Sequence, residues 1–181
     1  FCIQNNIPVV VGTTGWMDSF DEVSDLVKMN EGAMLYASNF SLGVNVFFEI
    51  NKRLAELMNV VDGYQVSVQE IHHTEKLDAP SGTGISIADG IIEQTDRLKN
   101  WENVLPNDLS SNASLSIESI REPNVPGTHV VSYQSEIDSL ELKHVANNRV
   151  GFAQGAVIAS EFLHNKKGVF TMNDVLKIKS K

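Results

Sequence analysis

Hydrophobic and polar positions alternate along this chain with two different periods. Unbroken apolar runs at 7–11 and 33–37 predict short strands buried on both faces of a parallel sheet. Apolar residues at helical spacing predict helices over 18–30, 42–59 and about 81–92. A further helix is predicted to follow the glycine-containing segment 148–156 and to end at Leu163. The alternation of strand and helix signals favours an α/β fold.

A second group of segments shows the period of two that is typical of half-buried strands. These segments are 64–72, 114–121, 127–135 and 140–146. With two helices they predict an α+β domain around an open mixed sheet of about four strands, one face of which must be covered by helices or by another subunit. Residues 95–112 are polar and irregular, and we expect a connection there, with room for a short helical turn.

The stretch from Glu70 to Thr83 joins a predicted strand to a predicted helix and carries the candidate chemistry. His72 and His73 lie at the strand's end, where neighbouring side chains point to opposite faces. Ser81, Gly82 and Thr83 lie at the helix N-terminus, where unpaired amides and the helix dipole favour an anion. With Lys76, this arrangement predicts a carboxylate pocket beside a proton-transferring histidine. The plainer alternative is that Ser81 only caps the helix and the histidines are ordinary polar residues.

Charge and cysteine content narrow the class of partner. Fourteen basic and twenty-three acidic residues give a formal net charge of −9, which disfavours non-specific binding to nucleic acid or anionic membranes. Cys2 is the single cysteine, so an internal disulfide is excluded and we expect a reducing, cytoplasmic location. The sequence contains neither an apolar run of membrane-spanning length nor a signal peptide, and it begins with Phe1.

A resemblance to a known family rests on a long motif. The residues Glu70-x-His72-His73-x-x-Lys76-x-Asp78-Ala79-Pro80-Ser81-Gly82-Thr83 resemble the signature of the dihydrodipicolinate reductases. Other matching segments spread the resemblance over essentially the whole chain: Gly12-Thr13-Thr14-Gly15, Asn39-Phe40, Arg121-Glu122, Pro126-Gly127-Thr128, Arg149 with Phe152-Ala153 and Gly155-Ala156, and the closing segment 168–176.

The resemblance implies an NAD(P)H-dependent reduction of 4-hydroxy-tetrahydrodipicolinate, a cyclic dicarboxylate, to tetrahydrodipicolinate in the diaminopimelate/lysine pathway. It implies catalytic roles for His72, as proton donor, and for Lys76, which holds a substrate carboxylate. His73 and the Ser81-Gly82-Thr83 segment would bind the substrate's carboxylates.

The cofactor, NADPH or NADH, is expected against two turns. By resemblance these are formed by Gly12, Thr13 and Thr14 and by Ser38, Asn39 and Phe40. The sequence carries no Gly-x-Gly-x-x-Gly-like turn after a strand, so we expect it to lack the N-terminal part of the nucleotide-binding domain and to be inactive by itself.

The architecture implied by the resemblance has two domains. Residues 1–41 and 150–181 would form a partial Rossmann-like dinucleotide-binding domain, and 42–149 a substrate-binding and oligomerisation domain of a homotetramer. An alternative is a non-catalytic assembly module that binds dicarboxylates but no cofactor.

Several polar residues are given no catalytic role from the sequence. A metal site of His72, His73 and Glu75 is disfavoured because adjacent strand histidines diverge. We expect Arg121 to be a surface residue, and His129 and His144 to be structural. The sequence assigns no role to Arg149 and no preference between NADH and NADPH.

Overall fold

A computed structural model of the chain describes residues 1–13, 15–105 and 113–178. The strands are β1 Val9–Val11, β2 Ala33–Tyr36, β3 Gln65–His72, β4 Asn100–Val104, β5 Ser114–Arg121, β6 Thr128–Gln134, β7 Ser139–Val145 and β8 Gly168–Phe170. The α-helices are α1 Phe20–Met29, α2 Leu42–Met58, α3 Gly82–Ile92, α4 Val150–Phe162 and α5 Met172–Leu176, with short 3-10 turns at Ile3–Asn5 and Met17–Ser19.

The chain divides into two units, of which the first is built from both ends of the sequence. Unit 1 comprises residues 1–45 and 149–181, and unit 2 comprises residues 46–148. In unit 1, β1, β2 and β8 form a parallel sheet in that order. The central strand β2 is buried from Ala33 to Leu35, as predicted, whereas β1 is an edge strand of the described sheet and is only half-buried.

Unit 2 contains a five-stranded mixed sheet in the order β4-β5-β3-β6-β7. Strand β3 runs parallel to β5 and antiparallel to β6, and β4 extends the sheet beyond β5. The expectation of about four strands is therefore corrected to five, because β4 lies in the stretch predicted as a plain connection. Its residues are mostly polar and pair only with β5 among the described strands, so the pairing rather than a hydrophobic alternation defines this strand.

Helices α2 and α3 cover one face of this sheet. Their apolar residues pack with those of the strands into one core, formed by Phe47, Ala55, Met58, Val68, Ile87, Ala88, Ile91, Leu115, Ile117, Val131 and Tyr133. On the core-facing side of β3, Val68, Glu70 and His72 are buried and Val66 is half-buried. On the opposite face Ser67 is exposed and Gln69 is half-buried. Side chains that alternate in this way place Glu70 and His72 on the helix-covered face.

None of the helices in the described part of the chain is long and apolar enough to cross a lipid bilayer.

Candidate active site

A buried carboxylate lies at the centre of the candidate site. Glu70 is on β3, in phase with Val68 and His72, and its side chain is 0% exposed. A charged group removed from water needs hydrogen bonds or opposite charge to remain stable in a folded protein. The neighbours of Glu70 therefore define what the site is built from.

The turn before α3 supplies the hydrogen bonds to this carboxylate. The backbone amide of Ser81 donates to both Glu70 oxygens, at 2.9 and 3.1 Å, and the Ser81 hydroxyl donates to Oε2. The same hydroxyl accepts the amide of Gly84 at 3.0 Å and so caps α3, as the sequence predicted. Ser81 is 2% exposed, and its predicted contact with a substrate stays a prediction.

Gly84 gives the carboxylate the space that it occupies. A Cβ atom on residue 84 would lie 2.6 Å from Oε2 of Glu70, which is closer than real Cβ contacts come. The glycine in the first turn of α3 therefore allows Glu70 to reach the helix N-terminus.

Arg121 is not the surface residue that the sequence suggested. Its side chain is 21% exposed, and its Nη2 lies 3.5 Å from Oε1 of Glu70. Its guanidinium also donates to the carbonyl oxygens of Asp78, at 2.6 Å, and Lys76, at 3.3 Å. Because a planar guanidinium presents several donors in fixed directions, Arg121 ties the 76–78 loop to Glu70 and to the end of β5.

His72 is buried directly beside Glu70. Its Nδ1 lies 3.9 Å from Oε2 of Glu70, and 7% of the residue is exposed. Burial lowers the pKa of His72 below its ordinary value. The negative charges of Glu70 and Asp78 oppose this shift, whereas the positive charges of Lys76 and Arg121 add to it. A dianionic ligand near this ring would offset the two cations and favour the protonated imidazole.

The other ring nitrogen of His72, Nε2, lies next to Gly127, which has no side chain to block it. A Cβ atom there would lie 3.2 Å from Nε2, tighter than most Cβ contacts. Gly127 belongs to the Pro-Gly-Thr segment that the sequence singled out, and the structure places that segment against His72.

His129 is the functional-site neighbour that the sequence reasoning did not find. It lies directly opposite Glu70 in the β3–β6 register, its ring meets that of His72 edge-on at 5.1 Å between centroids, and its Nε2 lies 3.8 Å from Oε2 of Glu70. Burial, together with the nearby His72, His144 and Lys76, lowers the pKa of His129 to about 3. This contact follows from the pairing register of β6 with β3, which cannot be read from a single sequence.

Lys76 and the remaining predicted substrate residues belong to the segment between the end of β3 and the start of α3. The Lys76 ammonium pairs with Asp78 at 2.8 Å, and this hydrogen bond lowers the pKa of Asp78. His73 follows the last residue of β3 and is half-buried, whereas Gly82 and Thr83 begin α3. The structure thus brings Lys76, His72 and the start of α3 to one loop system within unit 2.

Glu70, His72 and His129 offer ligand atoms within 4.8 Å of one another. Tetrahedral Zn²⁺ with bonds of about 2.0–2.1 Å would bring such atoms to roughly 3.4 Å from each other. The observed nitrogen–oxygen separations are 3.8 and 3.9 Å, and Oε2 of Glu70 already accepts the Ser81 hydroxyl. Hydrogen bonding and charge explain the cluster, and we assign no metal to it; His73 and Glu75 are not members of this group.

The residues predicted to contact the cofactor lie in unit 1. Gly12 and Thr13 follow the carboxyl end of β1, and Ser38, Asn39 and Phe40 follow that of β2, which is its parallel neighbour. The two turns touch, because a Cβ on Gly12 would lie 3.1 Å from the Phe40 ring. The turn after β2 is also held internally, since Asn39 accepts the Ser41 amide at 2.8 Å. Thr14 lies outside the described residues.

Comparison with known proteins agrees with the motif. The family described as dihydrodipicolinate reductase, C-terminus, matches residues 43–176. A 4-hydroxy-tetrahydrodipicolinate reductase of Christiangramia forsetii is 50% identical over 175 residues, which cover 97% of this chain and 72% of that protein. A dipicolinate-bound dihydrodipicolinate reductase from Paenisporosarcina sp. TG-14 has a similar structure, with a TM-score of 0.72 and 26% identity, over 94% of this chain and 64% of that one.

Proposed function

The chain belongs to the dihydrodipicolinate reductase family, and we propose that the protein reduces 4-hydroxy-tetrahydrodipicolinate to tetrahydrodipicolinate. The reaction consumes one hydride and one proton and releases water. We propose that it serves the diaminopimelate/lysine pathway and uses NADPH or NADH.

The observation that carries this proposal is the environment of His72. The imidazole is buried next to a carboxylate, and Lys76 and Arg121 supply positive charge around it. A histidine in such a site gains a proton when an anionic substrate binds, because the substrate's charge offsets the two cations. His72 is then the proton donor, and its Nε2, beside Gly127, is the atom that we propose faces the ring of the substrate.

The substrate's two carboxylates need positively polarised partners. Lys76 provides a charged ammonium, which would exchange its ion pair with Asp78 for one with the substrate. The Gly82-Thr83 start of the eleven-residue α3 provides backbone amides and the positive end of a helix dipole, with His73 and Ser81 as further predicted contacts. The dipicolinate found in the related structure has the same pair of carboxylates as the proposed substrate.

The position of the turns in unit 1 supports our proposal that they bind the nicotinamide cofactor. Ligands of α/β sheets bind outside the carboxyl ends of parallel strands, and the turns after β1 and β2 meet at that edge. Gly12 allows a close approach to the backbone, and Thr13, Thr14, Ser38, Asn39 and Phe40 would line the site. When bound, the reduced nicotinamide supplies the hydride. We propose unit 1 as the dinucleotide-binding domain and unit 2 as the substrate-binding and oligomerisation domain.

A homotetramer joined through the unit 2 sheet is also proposed. The face of this sheet opposite α2 and α3 carries residues such as Ser67 and Gln69, and no helix covers it in the part of unit 2 that the structure describes. Another subunit would cover that face. Sedimentation equilibrium of the protein should give four times the subunit mass, and a stable monomer at high concentration would contradict this assembly.

The reductase assay tests the function directly. The protein as its gene encodes it would be given substrate made in situ by the preceding synthase, and NADPH and NADH would be followed separately by absorbance. The Christiangramia forsetii reductase serves as positive control. Synthase-dependent oxidation of either cofactor supports the proposal. No oxidation under conditions in which the control is active, together with retained dicarboxylate binding, would instead favour the non-catalytic assembly module.

A further inference from the structure

A single carboxylate contacts several parts of the candidate site in unit 2. Glu70 accepts the amide and hydroxyl of Ser81, lies 3.5 Å from the Arg121 guanidinium, and lies 3.9 Å from Nδ1 of His72. Ser81 holds the first turn of α3 through Gly84, and Arg121 holds the carbonyls of the loop that carries Lys76. The predicted proton donor and the predicted carboxylate-binding groups are therefore fixed by the same buried group.

The ring of His72 is placed so that a proton on Nδ1 would face this carboxylate. Nδ1 is buried and has no hydrogen-bond partner within the described part of the chain, and 3.9 Å is slightly beyond hydrogen-bond length. Both ring nitrogens are donors in a protonated imidazole, so Nδ1–H would face Glu70, and the attraction between the two charges would close that gap. The opposite nitrogen, Nε2, remains on the Gly127 side.

The other charged and titratable groups around His72 cannot replace Glu70. Lys76 and Arg121 oppose a charge on the imidazole, and Asp78 is exposed and already paired with Lys76. His129 packs edge-on against the ring, and a histidine, neutral or protonated, cannot supply the negative charge that balances an imidazolium. Among these neighbours Glu70 alone is a buried negative group next to His72.

We propose that Glu70 is a positioning residue that holds the charged form of His72 and ties it, through Ser81 and Arg121, to the carboxylate-binding loop. This inference rests on the proposed function for its catalytic meaning. Its two effects are separable, because the charge of Glu70 acts on His72 whereas its hydrogen bonds act on Ser81.

The substitution Glu70→Gln removes the charge and keeps the shape. Because an opposite charge within about 4–6 Å shifts a pKa by about one unit or more, the midpoint of His72 titration should fall by about one pH unit. Turnover at pH 7.5 should fall about tenfold, and the loss relative to wild type should shrink as the pH is lowered and more of His72 becomes protonated. Ser81→Ala should instead raise KM and leave the His72 midpoint within about 0.2 units. Glu118→Gln is the matched control, because that carboxylate lies on the neighbouring strand and bonds Gln69 at 2.5 Å.

The midpoint is measured by NMR of labelled histidine in the whole protein without substrate or cofactor, with the His72 signal assigned from its loss in His72→Gln. A fall in Glu70→Gln but not in Glu118→Gln supports the inference even if the reductase assay fails. An unchanged midpoint in folded Glu70→Gln would overturn it, whatever the activity. If Glu70→Gln does not fold, the test passes to Glu70→Asp, whose shorter side chain should lower the midpoint by a smaller amount, and an unchanged midpoint in that variant would also overturn the inference.

Discussion

Buried charge decides the behaviour of single residues in unit 2. Two imidazoles, those of His72 and His129, face one oxygen of Glu70, at 3.9 and 3.8 Å. Burial lowers the pKa of both: that of His129 falls to about 3, whereas Glu70 and Asp78 oppose the shift at His72. His129 is therefore neutral over the whole physiological range.

The low pKa of His129 predicts that the folded protein loses stability in acid. The folded pKa, about 3, lies below the ordinary value of 6.5, so the unfolded chain binds a proton that the folded chain refuses. The stability due to neutral His129 is present above pH 6.5 and is lost as the pH falls from 6.5 towards 3. Between pH 7 and pH 5 the loss should be about 2 kcal/mol.

Urea unfolding at the two pH values measures this loss. His129→Gln should show an acid-dependent loss smaller than that of wild type by about 1.5–2 kcal/mol. His164→Gln, at an exposed histidine, is the control and should behave as wild type. Equal losses in His129→Gln and wild type would show that His129 is not held neutral in the folded protein.

At the level of elements, the glycines of α4 show where this helix packs closely against its neighbours. In α4, Gly155 packs against the backbone at Phe40, and a Cβ atom there would overlap the Phe40 carbonyl oxygen. In the same helix Gly151 has open space around its Cβ position. The approach of α4 to the turn after β2 therefore depends on one glycine and not on the other.

Gly155→Ala should destabilise the protein by about 2 kcal/mol, because α4 or the Phe40 turn must shift to relieve the overlap. Gly151→Ala, the control on the same helix, should be neutral or stabilising by up to about 1 kcal/mol. Thermal unfolding followed by circular dichroism distinguishes them. Equal melting temperatures for the two variants would mean that α4 does not pack closely on this turn.

Helices and strands with strong hydrophobic periodicity could be predicted from the sequence. Contacts between residues far apart in the sequence could not. The strand ending at His72, the cap at Ser81 and the helix that follows could all be read from spacing, since local sequence determines them. Strand β4 escaped prediction because its residues are mostly polar. Glu70 shares the buried phase of Val68 and His72, which is a signal that could have indicated a buried carboxylate. His129 and Arg121 join the site through strand register and a long side chain, and neither is encoded locally.

At the scale of the whole molecule, the functional groups are divided between two units. The proposed proton donor, cations and helix terminus all belong to unit 2, and the proposed cofactor turns belong to unit 1. Their assignment to one reaction comes from family membership and from the chemistry of each site. In the proposed function turnover depends on groups from both units, whereas the charge of His72 depends on unit 2.

The most direct test of the account is turnover of the protein carrying His72→Gln. Loss of a general acid costs typically 10²–10⁴-fold in rate, so kcat should fall by at least about 100-fold while KM for the substrate changes by no more than a few-fold. His144→Gln, at a half-buried histidine of β7 beyond His129, is the control and should retain most of its turnover. Turnover of His72→Gln within a few-fold of wild type would contradict the assignment of His72 as proton donor.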